Sequence, residues 1–306
     1  MLLFATSDKG GTGRSVTGSN VVYRRAMQGG DACYVDFDFG SPTSGAIFGI
    51  SALNRGTSSG CGTHSYLQGR SPVAEQWDVW QHSDRMSLRQ RPPGTGRLVL
   101  IPGDANGGEF ATDKGTVQRC IDLLLRLHGE FEVVLVDLSA GRSYAADVVI
   151  AATSAPELAN VTSRWLVFHR WTRQHVLAAA GLVFEERGLL DIGEMHGRDR
   201  DRFGQDIRFI RTAIVDPKAP DLAGLRPPQL AWLREANREL QKLAAELNVG
   251  RSSVLGMVPL DPILQWREQL ITDSDVWARH IANQATVDAF EMIAKNIVDT
   301  QAWEQL

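Results

Sequence analysis

Residues 9 to 15 read Lys9-Gly10-Gly11-Thr12-Gly13-Arg14-Ser15, a glycine-rich turn between an apolar run, Leu2 to Thr6, and a stretch of helical periodicity from about Arg14 to Met27. Few folds accommodate that order. A strand that enters a glycine turn and leaves as a helix directs backbone N–H groups and the positive end of the helix dipole at one point, which makes a cradle for an anion and above all for phosphate. Glycine lets the backbone approach such a guest closely and adopt positive φ. A bare structural turn would use the same glycines, so the rest of the chain has to decide.

Three further segments end in polar residues after apolar runs. Cys33-Tyr34-Val35-Asp36-Phe37-Asp38-Phe39-Gly40 ends in two aspartates, Val133 to Val136 leads into Asp137, and Val254 to Val258 leads into Pro259-Leu260-Asp261. Parallel strands buried on both faces read as continuous apolar runs, and open α/β sheets collect their ligands at the carboxyl ends of such strands.

The ordinary phosphate loop, Gly-x-x-x-x-Gly-Lys-Ser/Thr, fails here at Asp8 and at Arg14. Lys9 to Ser15 resembles instead the deviant Walker A loop, Lys-Gly-Gly-x-Gly-Lys-Ser/Thr, of the ParA/MinD family of dimeric P-loop ATPases, with Arg14 as the single mismatch. The strand ending at Asp137 is similar to that family's Walker B strand, the Asp36/Asp38 pair to its second acidic strand end, and Pro259-x-Asp261 to the late loop flanking the adenine. The resemblance implies ATP held by Lys9, Gly10, Gly11, Thr12, Gly13, Arg14, Ser15 and Val16, with Pro259 and Asp261 near the base. It implies Mg²⁺ served by Ser15, Asp36, Asp38 and Asp137, with Asp38 orienting the attacking water and Lys9 reaching a partner's nucleotide across a homodimer. It covers most of the chain, with residues 51–95 and 188–250 as its weak regions.

Each role has a plainer competitor. Ser15 can cap a helix, and aspartates after strands can cap the loops that follow, Asp36 first among them. Arg14 is the hard position. Guanidinium can grip phosphate bidentately, but it is planar and longer than a lysine, and phosphoryl transfer rests on positioning. Binding with slow or absent hydrolysis is the expectation. The chain has 27 arginines and five lysines, so a general drift from lysine to arginine also accounts for Arg14 and makes Lys9 less incidental.

Composition adds boundaries. Of the 306 residues, 43% are hydrophobic and 22% charged, ordinary values for a globular chain. A net charge of −4 gives no bulk attraction to nucleic acid or anionic lipid. No leader or membrane-spanning run is visible, so a cytoplasmic protein is expected. Cys33, Cys61 and Cys120 lack metal or disulfide spacing and read as free thiols. The seven histidines form no metal pattern; His169 and His175 flank Arg170-Trp171-Thr172-Arg173, a basic aromatic turn that reads as packing before nucleic-acid contact. The stretch from Thr286 to Leu306 lacks the basic face of a membrane-targeting helix.

Periodicity predicts strands near 2–6, 32–37, 98–102, 132–137, 146–152, 165–169, 208–215 and 254–258, and helices near 14–28, 115–128, 172–187, 228–247 and 284–299. Residues 51–95 read as a helix and short irregular pieces near the dimer face, and 191–206 as an exposed loop of alternating charges. The expected fold is α/β, a doubly wound, mostly parallel sheet with helices on both faces, forming one nucleotide-binding domain over residues 1–306. The expected function is an ATP- and Mg²⁺-dependent switch or positioning protein with an unknown protein partner. A scaffold that binds nucleotide weakly and a DNA-associated partition ATPase stand as alternatives.

Overall fold

The computed structural model describes residues 1–216 and 224–304. Lys218, inside the weakly matching segment, and Gln305-Leu306 at the end of the carboxyl-terminal stretch lie outside the described residues. Among the described residues the strands are β1 (Leu2–Thr6), β2 (Ala32–Phe37), β3 (Trp77–Asp78), β4 (Leu98–Ile101), β5 (Val133–Leu138), β6 (Ser163–Arg170), β7 (Ile207–Ile214) and β8 (Val254–Pro259). They form one sheet in the order β3-β4-β2-β5-β1-β6-β7-β8, parallel throughout except for the antiparallel edge strand β3. The long helices are α1 (Arg14–Met27), α2 (Lys114–Glu130), α3 (Tyr144–Thr153), α4 (Arg173–Phe184), α5 (Pro227–Glu246) and α6 (Gln284–Asn296).

The apolar runs are continuous because both faces of the sheet are covered. In β1, Leu2 and Phe4 enter a core with α2, α3 and α4, whereas Leu3 and Ala5 enter a second core with α1 and α6. β5 divides in the same way, Val134 and Val136 on the first side and Val133 and Leu135 on the other. Alternation of side chains along a strand then leaves no polar position in the middle of either strand. β1 lies between β5 and β6, so the loop leaving it opens at the centre of the sheet's carboxyl edge.

Three expectations change. Residues 146–152 are not a strand but lie within α3. Their Ala/Val/Ile content suits a buried strand, yet the Ser143 hydroxyl accepts a hydrogen bond from the Ala146 N–H and starts a helix that packs against α2. The charged segment 191–206 is not a loop either. It carries the end of a helix at Leu189–Met195 and another at Arg200–Gln205, and Arg200 pairs with Asp191 and Glu194 across the turn between them. Within 51–95 the pieces are short, as expected, but Trp77–Asp78 adds an edge strand that two residues of sequence do not announce. The cysteines are free, with Cys33 and Cys120 buried.

One glycine couples this framework to the carboxyl edge. Gly45 lies in the short helix Ser44–Ile47, where an added Cβ would stand 2.3 Å from both the Cβ and the carbonyl oxygen of Leu53. The obstacle is partly backbone, so it cannot rotate away. Gly45→Ala is expected to lower the free energy of unfolding by about 2 kcal/mol, the usual scale of overpacking, as read by chemical denaturation. An unchanged midpoint would show that the 44–53 turn gives freely.

Candidate functional site

The loop of residues 8–13 leaves β1 and turns into α1. Gly11 and Gly13 hold φ of +71° and +76°, conformations that L side chains rarely adopt, whereas Gly10 has no positive φ. Gly13 is the N-cap of α1, no side chain caps that end, and Ser15 sits in the helix's first turn. The loop is tied to its neighbours by backbone and side-chain bonds: Gly141 N–H donates to the Ser7 carbonyl, and the Thr212 hydroxyl donates to the Thr12 carbonyl at 2.5 Å. Lys9 is half-buried at the loop's start, and its ammonium makes no ion pair among the described residues.

A cavity of about 260 Å³ lies on one side of this loop. It is lined by Gly11, Thr12, Gly13, Val16 and Thr17 from the loop and α1, by Val258 to Asp261 at the end of β8, and by Arg170 and Thr212. Pro259 and Asp261, expected near the base, line the same cavity as the glycine loop. The Asp261 carboxylate is itself engaged, accepting from the N–H groups of Ile263 and Asn283. It shapes the wall by capping the short helix Pro262–Trp266.

The three other aspartates converge because of strand register. Asp36 on β2 stands directly opposite Asp137 on β5, and Ala5 of β1 stands opposite Asp137 on its other side. Asp36 is buried, accepting from the backbone N–H groups of Asp38 and Ser44, so it anchors the β2 loop as a capping residue. Burial pushes its pKa up to about 7, with the Asp137 and Asp38 charges adding to the rise and the Ser44 bond opposing it.

Arg14 fills the space between the other two. It is 6% exposed, its Nε donates to Asp137 Oδ1 at 2.5 Å, and a terminal nitrogen donates to Asp38 Oδ2 at 3.0 Å. The other terminal nitrogen faces the Ser7 hydroxyl at 3.4 Å. Burial works against the guanidinium's charge, and Asp137 and Asp38 outweigh it, so Arg14 is held charged. Asp137 is completed by the Tyr34 hydroxyl, which donates to Oδ2 at 2.6 Å. Arg14 therefore points away from the cavity, into the acidic strand ends.

Sequence reasoning did not single out Tyr34, Ser7 or Thr212, and it read Arg170 as part of the basic aromatic turn rather than as a neighbour of the glycine loop. Tyr34 had a usable signal: it is the one phenol in an apolar strand and lies two residues before Asp36, on the same face. In the basic aromatic turn Trp171 and His169 are engaged by the protein's own residues, while Thr172 and Arg173 are exposed. The Trp171 indole donates to Asn237, the Arg211 guanidinium lies 4.0 Å from the centre of its ring, and burial pushes His169 down to about 4, a neutral ring.

Asp36 carries a pH signature. The folded state keeps its proton between about pH 4, where an unfolded aspartic acid has lost it, and about 7. Stability contributed by this group therefore falls as pH rises through that window. Against non-titrating Asp36→Asn, the parent should lose more than about 1 kcal/mol between pH 5 and 7.5 in urea unfolding. A constant difference would mean Asp36 ionises as it does in the unfolded chain.

No protein-family model and no curated protein sequence matches the chain. Solved structures do. A chain of the MinC:MinD cell division protein complex from Aquifex aeolicus aligns with a TM-score of 0.60 over 97% of this chain and 95% of that one, at 14% identity. A plasmid partition protein from Borrelia burgdorferi bound to AMPPNP gives 0.58 over 97% and 98%, at 12% identity. MinD from Pyrococcus horikoshii, complexed with Mg-ADP, gives 0.52 over 100% and 99%, at 14% identity. Together with the strand order and the loop at the centre of the carboxyl edge, these alignments establish that the chain has the ParA/MinD-type P-loop fold over nearly its whole length.

Proposed function

We propose that this protein is a nucleotide-binding switch or positioning factor that takes ATP at residues 9–16, with slow or absent hydrolysis. The observation that carries the reading is the cavity lined by both the glycine loop and the Pro259–Asp261 loop. Backbone N–H groups at a helix N-terminus favour phosphate, and the apolar wall offered by Val16, Val258 and Leu264 suits a base. The Borrelia protein carries AMPPNP and the Pyrococcus protein Mg-ADP, ligands of the class such a loop takes.

Slow turnover follows from Arg14. Asp38, the candidate for orienting water, and Asp137 are both bonded to its guanidinium, so neither is free to align a nucleophile. The Lys9 ammonium, which makes no ion pair among the described residues, supports the role of a contact across a homodimer. Residues 1–306 act in this reading as one nucleotide-binding unit. Among the described residues no helix is long and apolar enough to cross a membrane, and the cytoplasm is the proposed location. Partition on DNA is the less favoured reading, because the Trp171 indole is engaged by Asn237 and Arg211 and the chain's net charge is −4.

Saturating ATP, a hundredfold above its dissociation constant, should stabilise the folded protein by about 2.7 kcal/mol, visible as a rise in melting temperature. Absence of any rise leaves the scaffold alternative. Single-turnover hydrolysis should be near background in the parent and at least about tenfold faster in Arg14→Lys, corresponding to about 1.4 kcal/mol of recovered transition-state stabilisation. Equal rates would make arginine a working substitute for lysine. In sedimentation with a non-hydrolysable ATP analogue, the parent should shift to dimer and Lys9→Ala should not; a parent whose mass ignores the analogue is not nucleotide-gated.

A further inference from the structure

Magnesium, the cation that the resemblance implies, does not fit the carboxylates as they are arranged. Asp137 has both oxygens engaged, one by Arg14 and one by Tyr34, while Asp38 gives Oδ2 to Arg14 and Asp36 spends its oxygens on two backbone N–H groups. Mg²⁺ requires a near-octahedral set of oxygens at about 2.0–2.1 Å and keeps several waters. A guanidinium wedged between Asp38 and Asp137 occupies that space and cancels the charge that would draw the ion. Among the described residues, no group of three or more His, Cys, Asp or Glu side chains is arranged to hold a metal.

We infer that the Arg14 guanidinium takes the place of the divalent cation, so that the phosphate ligand of the loop is bound without metal. The geometry supplies what a bridging cation would. Arg14 is positive, buried and fixed at once to the strand ends of β2 and β5, and it is the first residue of the helix that follows the phosphate loop. Guanidinium has five N–H donors and cannot be deprotonated in a protein. One is used on Asp137, one on Asp38 and one, at 3.4 Å, weakly on Ser7, so both carboxylates are satisfied from within the protein and the loop's backbone N–H groups are left to receive the phosphate. Lysine, a single point charge, could not span the two carboxylates with the same rigid fork.

The ligand half of this inference rests on the proposed nucleotide reading; the metal half does not, and the experiment separates them. Mn²⁺ alone, followed by its electron paramagnetic resonance signal, is titrated into the nucleotide-free parent, Arg14→Ala and Arg14→Ala/Asp137→Asn. The parent should take up no ion at concentrations where Arg14→Ala binds about one, and the added Asp137→Asn should abolish the gain. Where Arg14→Ala does not fold, Arg14→Gln carries the same test. Uptake by the parent equal to that of the variant overturns the inference, as does no uptake by any variant, since the carboxylates would then not be a cation position. In the second arm a fluorescent ATP analogue is titrated into the parent with Mg²⁺ or with EDTA. Affinities within about twofold are expected, and a tenfold loss in EDTA overturns metal-free binding. An analogue that binds in neither condition refutes the nucleotide reading and leaves the Mn²⁺ titration to decide the place of Arg14.

Discussion

The buried pair of ion contacts made by Arg14 holds together the part of the molecule on which everything at the carboxyl edge depends. Its guanidinium stands at the first residue of α1, the positive end of a helix dipole, where a cation is disfavoured by about 0.3–1 kcal/mol. It is also almost removed from water, which a lone charge does not tolerate. Both costs are met by two carboxylates that different strands deliver to the same point, Asp38 from the end of β2 and Asp137 from β5. Removing Arg14 would leave Asp137 buried beside Asp38 with no countercharge, a loss of about 3–5 kcal/mol in comparable buried pairs. The helix start, the glycine loop before it and two strand ends thus stand or fall as one unit.

Register explains why the carboxylates are there to be used. Parallel pairing of β2 with β5 sets Asp36 beside Asp137, and pairing of β1 with β5 sets Ala5 on the other flank, so the loop after β1 passes over the acids. Asp36 then fixes the next layer. Its bond to the Ser44 N–H seats the short helix 44–47, whose Gly45 lies against Leu53. A small residue in the 44–53 turn and the acidic centre are therefore linked through one carboxylate, which titrates near neutrality because it is buried among its own kind.

The parts of this arrangement that were legible in the sequence are those with a local signature. β1 and β5 are unbroken apolar runs because both faces are buried, and the glycines of the loop mark backbone that no other residue adopts easily. Asp36, Asp38 and Asp137 end strands and were found on that ground. What Arg14 touches was not legible, since the direction of a long side chain is settled by groups 24 and 123 residues away. α3 was misread for a related reason. Ala146 to Ala152 satisfies strand and helix patterns alike, and the tie is broken by the Ser143 cap and by packing against α2, which a window of residues does not contain. Tyr34 shows the middle case, visible as an oddity in its strand but without meaning until Asp137 is beside it.

The same geometry bears on how arginine came to stand at position 14. In a chain with 27 arginines and five lysines, drift is the simplest account, and drift predicts a side chain that does what lysine would do at that point. Instead the planar fork reaches two carboxylates at once, with Ser7 at the edge of its reach. An ammonium has a shorter reach and its three donors on one atom, so it cannot reproduce the two separate contacts that Nε and a terminal nitrogen make here. Arginine therefore alters the electrostatics of the site as well as its shape, because it satisfies the acids from within. The loop's positive-φ glycines and the charge-satisfied centre behind it are thus two separate features, one of backbone and one of side chains, that meet at a single residue.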